Sequence, residues 1–79
     1  MRDRGDADRA LQDLEQTVKL DPKNSTALKT LSHLYYEKRN YERAIGVLDL
    51  AIKLNANDGL AYFNRGMAYR AKGEPDRAI

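Results

Sequence analysis

His33 is the single histidine in a chain of 79 residues, and imidazole is the side chain best suited to proton transfer near neutral pH. A general base must sit beside the group whose proton it takes. No serine, cysteine or carboxylate is paired with His33 by any recognisable motif, so it reads as a helix-surface histidine. Cysteine is absent, which removes disulfides and thiolate metal sites and leaves the redox compartment open. No His-Glu-x-x-His, Cys-x-x-Cys or glycine-rich phosphate loop occurs. Asp6, Asp8, Asp13 and Glu15 lack the spacing of a calcium loop and read as helix caps and a solvated face. The sequence therefore predicts no enzyme, no bound metal and no cofactor.

The aromatic residues are Tyr35, Tyr36, Tyr41, Tyr62, Phe63 and Tyr69. Stacking on single-stranded nucleic acid would need them on one open face beside Arg or Lys. Tyr35, Tyr62 and Tyr69 instead recur where a core is expected, while Phe63 and Tyr36 are not required by it. The net charge is +2, from 14 basic and 12 acidic side chains. These alternate in sign with no basic block, which describes a solvated surface and not a nucleic-acid footprint. No apolar run approaches the ~20 residues of a membrane span. Met1–Gly5 carries no hydrophobic signal segment, so a cytoplasmic location is the default expectation. Neither nucleic acid nor membrane is an expected partner.

Four helices must position these residues. Over 7–20, Ala10, Leu14 and Val18 recur every fourth residue, with Leu11 and Thr17 beside them, which makes one apolar face. Asp6 is the expected N-cap. Asp21-Pro22-Lys23-Asn24 ends the helix, since proline disfavours helical geometry before it, and Asn24 caps the next. Residues 25–38 carry Leu28, Leu31 and Tyr35 on one face, with Ala27 and Leu34 at its edges. Arg39-Asn40 is a break and Asn40 caps a helix over 41–54, with Ala44, Leu48, Ala51 and Ile52 inward. Gly46 costs this helix about 1 kcal/mol against alanine, which predicts a close backbone contact there. Asp58 caps a helix over 59–72, where Tyr62, Gly66 and Tyr69 share a face flanked by Ala61 and Ala68. Gly73 closes it, and Pro75 suits the first turn of a fifth.

The segment Arg39–Ile45 has a version 34 residues earlier, Gly5–Leu11, and another 34 residues later, Gly73–Ile79. Three occurrences at one spacing define a repeat of two helices. Turns this short make neighbouring helices antiparallel, and each pair has an apolar face that only stacking can cover.

The pattern resembles the tetratricopeptide repeat. That family sets large apolar residues in the first helix of each unit, small residues where helices cross, and often a proline at the unit's end. The residues carrying the resemblance are Leu28, Leu31, Ser32, Tyr35, Ala44, Leu48, Ala51 and Ala56, then Tyr62, Arg65, Gly66, Tyr69 and Ala78, and before them Ala10, Leu14, Thr17 and Pro22. Departures are Ala56 for proline, Thr17 for a small apolar residue, and Arg65 for leucine, whose stem is expected to lie along the surface.

The resemblance implies an all-α fold, an α-solenoid of about four helices and the start of a fifth. It is one domain over 1–79: a second-helix half repeat at 5–24, a complete repeat at 25–58 and a truncated repeat at 59–79. It further implies a non-enzymatic protein-interaction module whose first helices line a concave groove. The groove positions would be Thr26, Lys29, Thr30, His33 and Tyr36, then Leu60, Phe63, Asn64, Met67 and Arg70. Asn64 can pair with a peptide backbone through amide donor and acceptor, and Leu60, Phe63 and Met67 supply apolar contact. One subfamily grips a terminal carboxylate. Lys29 and Asn64 match its spacing, but His33 replaces its first asparagine and its third unit is absent. A protein or peptide is thus the expected partner. The alternative is self-assembly into a homo-oligomer, because Leu11/Leu14 and Tyr62/Tyr69 would lie on unpaired terminal helices of a fragment.

Overall fold

In the computed structural model, residues 4–73 are described. They form α1 (Arg4–Leu20), α2 (Ser25–Glu37), α3 (Tyr41–Leu54) and α4 (Gly59–Lys72). The last three helices fall where periodicity and caps place them, α2 ending one residue early. Asn24 accepts a hydrogen bond from the Ala27 N–H at 3.0 Å, Asn40 from Arg43 at 3.4 Å and Asp58 from Ala61 at 3.2 Å. Each side-chain oxygen satisfies an amide that a helix start leaves unpaired.

The first helix corrects the sequence reading. It begins at Arg4, so Asp6 sits in its first turn and does not precede it as a cap. A carboxylate is favourable there because the helix dipole is positive at that end. The expected start of a fifth helix at Pro75 lies outside the described residues.

Between α2 and α3 the backbone reverses through Arg39 at φ 64°, the left-handed region. Gly73 ends α4 in the same region, at φ 94°. The two positions are 34 residues apart, so the turn geometry repeats while its residue type does not.

Helix α3 packs against both α2 and α4, α1 packs against α2, and α2 touches α4 at one edge. The core has two connected parts. One joins Leu31 and Tyr35 of α2, Ala44 and Ile45 of α3 and Ala68 of α4, with Leu11, Leu14 and Val18 of α1 against it. The other joins Leu28, Leu48, Ala51 and Ala61. Alanines at the α3–α4 crossing let the backbones approach, and leucines fill the space beside them. Ion pairs also recur in register: Lys38 pairs with Asp8, and Lys72 pairs with Glu42 at 3.3 Å, each partner shifted by 34.

Three core expectations change. Ile45, absent from the predicted inward face, is buried. Gly46 is exposed, and a Cβ built on it would meet nothing within 4 Å, so no close helix contact explains it. On α4 the buried residues are Ala61 and Ala68, whereas Tyr62 is 43% exposed. Its counterpart one repeat earlier, Leu28, is fully buried beneath Leu48 and Ala51 of α3. No helix among the described residues covers Tyr62 in that way. Arg65 follows from the same exposure: its guanidinium lies 5.3 Å from the Tyr62 ring centre and pairs with Asp49 at 2.7 Å.

Candidate functional site

Helices α2 and α4 run along one side of α3, and the gap between them holds a cavity of about 180 Å³. Its floor is built from Ser32 of α2, Ala44 and Leu48 of α3, and Ala68 of α4, all buried. Its walls and rim are His33 and Tyr36 on one side and Phe63, Asn64 and Met67 on the other. The spacing follows from helix geometry, since residues three and four apart share a face. Phe63 and Met67 project on the same stripe of α4, and both are exposed, Phe63 by 64%.

The floor presents no unpaired polar group. Ser32 donates its hydroxyl to the Lys29 carbonyl at 2.7 Å. His33, in turn, faces the Glu37 carboxylate through Nε2 at 3.2 Å. A hydroxyl committed to a backbone carbonyl is not held for activation by imidazole. Among the described residues, no group of three or more His, Asp or Glu side chains could hold a metal ion.

Of the residues the sequence places in the groove, His33, Tyr36, Phe63, Asn64 and Met67 meet around the cavity, while Lys29, Thr30, Leu60 and Arg70 stand outside its lining. Lys29 reaches across to the start of α4, where Nζ lies 2.9 Å from the Asp58 carboxylate. Asp58 is thereby doubly engaged, by Lys29 and by the Ala61 amide it caps. The hydrogen bond from Lys29, then that from the Ala61 N–H, hold its carboxyl below the ordinary value of 3.8. Thr30 turns its hydroxyl back onto the Thr26 carbonyl at 2.9 Å, a bond within its own helix. Thr26 and Arg70 are exposed, as is Leu60. Tyr36 packs edge-on against Tyr41, with ring centres 5.3 Å apart.

Sequence reasoning missed the floor as part of the site. The sequence pattern places Ala44, Leu48 and Ser32 in packing and Ala68 at the flank of a buried face. The signal was present: a residue that fills a helix crossing also forms the base of any gap between the helices above it.

Among the described residues, no helix is long and apolar enough to cross a membrane. Two family models, both described as tetratricopeptide repeat, match residues 1–65 and 60–79. The chain is 35% identical over 68 residues to the Hsp70-Hsp90 organizing protein 1 of Arabidopsis thaliana, covering 86% of this chain and 12% of that protein. It is 36% identical over 64 residues to serine/threonine-protein phosphatase 5 of Homo sapiens, covering 72% of this chain and 13% of that protein.

Proposed function

Since this chain belongs to the tetratricopeptide repeat family, a family of protein-interaction modules, we propose that it binds a peptide segment or helix of a partner in the gap between α2 and α4. The observation that carries the reading is the cavity itself. It gathers His33, Tyr36, Phe63, Asn64 and Met67 around a mostly apolar floor. Exposed aromatic and methionine side chains around a cleft, with one amide at the rim, suit an apolar anchor whose backbone pairs with Asn64. A relative named for organising Hsp70 and Hsp90 fits a module that engages other proteins. The role assigned to the chain is non-enzymatic. The word phosphatase names a whole relative, of which the match spans 13%.

A peptide-array screen with the immobilised chain tests the site. Binding to selected peptides is expected, and the double substitution Phe63→Ala with Asn64→Ala should abolish it. Peptides that bind the doubly substituted chain as well as the parent would remove the groove from consideration.

A second reading, self-association, is favoured by the exposure of Tyr62, whose counterpart Leu28 is fully buried. A second copy laying its α1 against the Tyr62 face of α4 would cover that ring. Sedimentation over a hundredfold range of concentration should then show dimers or longer chains, and a monomer throughout would eliminate it.

A further inference from the structure

A groove beside a lysine invites the expectation of an anionic ligand. Here the lysine is committed elsewhere. Lys29 Nζ sits 2.9 Å from the Asp58 carboxylate, and the two side chains are largely shielded, at 25% and 10% exposure. His33, one turn further along α2 and at the rim, faces Glu37. Arg70 lies further along α4, outside the cavity lining. A ligand carboxylate brought to Lys29 would have to displace Asp58 or share the ammonium with it, and two carboxylates at one cation repel. The cavity, at about 180 Å³, is below the ~300–1,000 Å³ of a typical small-molecule site. It has room for one leucine, methionine or phenylalanine side chain, and Ser32 on its floor is already hydrogen-bonded within the chain.

We infer that the groove selects an uncharged apolar side chain from within a partner segment, and not a free terminal carboxylate, because Asp58 already occupies Lys29. This rests on the groove reading above and names the chemistry of its ligand. Asp58 is then a positioning residue with two effects. It caps α4, the helix that carries Phe63 and Asn64, and it pairs with the Lys29 ammonium.

The comparison uses two minimal ligands with the same side chain, the neutral N-acetyl-methionine methylamide and the anionic N-acetyl-methionine. Each is titrated into the ¹⁵N-labelled chain while the amide resonances of Phe63, Asn64 and Met67 are followed. The methylamide should move these resonances, and the free acid should bind no more tightly. Asparagine caps a helix as well as aspartate does, so Asp58→Asn preserves the start of α4 and frees Lys29. That variant should bind the acid at least fivefold more tightly than the methylamide, and adding Lys29→Met should erase the gain. A wild-type chain that prefers the acid fivefold overturns the inference but leaves the groove standing, as does an Asp58→Asn chain with no gain. If neither ligand moves those resonances, the groove reading falls with it.

Discussion

Replacing Gly46 with alanine should stabilise this protein, and the size of the effect can be worked from its surroundings. Gly46 is the sixth residue of the fourteen in α3, well inside the helix. Its side-chain position is open, with nothing within 4 Å of a built Cβ. Steric cost is therefore absent, and the full difference in helix propensity, about 1 kcal/mol, should appear. For a domain of this size that corresponds to a rise in Tm of about 4–8 °C. With a urea slope of about 1 kcal/mol/M, at the low end for small proteins, the unfolding midpoint should rise by roughly 1 M. Paired urea titrations followed by circular dichroism at 222 nm would measure it. An unchanged slope would confirm that stability and not the extent of unfolding has shifted. A lower midpoint for Gly46→Ala would refute the reasoning and reinstate the close helix contact that the sequence alone suggests.

Two further outcomes follow from the packing and the charges. Leu48→Ala removes a buried side chain that is both core and cavity floor, so it should cost about 2–5 kcal/mol and deepen the groove, read by urea denaturation and by a change in which apolar ligand binds best. The Asp58 carboxyl is held below its ordinary 3.8 in the folded chain. Its contribution is therefore complete above that value and lost as pH falls through the lower folded one, and unfolding midpoints between pH 5 and 2 should fall more steeply for the parent than for Asp58→Asn.

The fold was legible because its signals are local and repeated. The Asn24, Asn40 and Asp58 caps, the turn at Asp21-Pro22 and the four-residue spacing of Leu14 and Val18 each act within a few residues, and each is present in the folded chain. What could not be read depends on which neighbour covers a position. Tyr62 occupies the same place in its repeat as Leu28, yet Leu28 lies beneath α3 and Tyr62 stands half open. Gly46 looked like a contact because glycine within a helix is costly, but nothing in a single sequence says whether the facing space is filled. For the candidate site, the resemblance to the family named ten groove positions, of which His33, Tyr36, Phe63, Asn64 and Met67 line one gap. The Lys29–Asp58 pair was not visible, because it joins residues 29 positions apart across two helices.

Comparing the two repeats position by position shows which residues recur and which diverge. Ala27 and Ala61 are alike at one crossing and Tyr35 and Tyr69 at another, and the caps Asn24 and Asp58 are chemically close. The groove positions diverge, as do the core positions Leu28, Leu31 and Leu34, which become Tyr62, Arg65 and Ala68. Thr26 becomes Leu60, Lys29 becomes Phe63, Thr30 becomes Asn64, His33 becomes Met67 and Tyr36 becomes Arg70. The result is an asymmetric cleft. The polar groups on the α2 side are tied back to their own chain, Lys29 to Asp58, Thr30 to Thr26 and His33 to Glu37. The α4 side offers the exposed apolar stripe of Leu60, Phe63 and Met67. A ligand therefore meets an α2 side with Lys29, Thr30 and His33 already engaged and an α4 side whose apolar surface is still to be covered, so its affinity should come from α4. Substitutions on α2 at Thr30 and His33 should then weaken binding less than those at Phe63 and Met67, an order that alanine scanning of both helices would check directly.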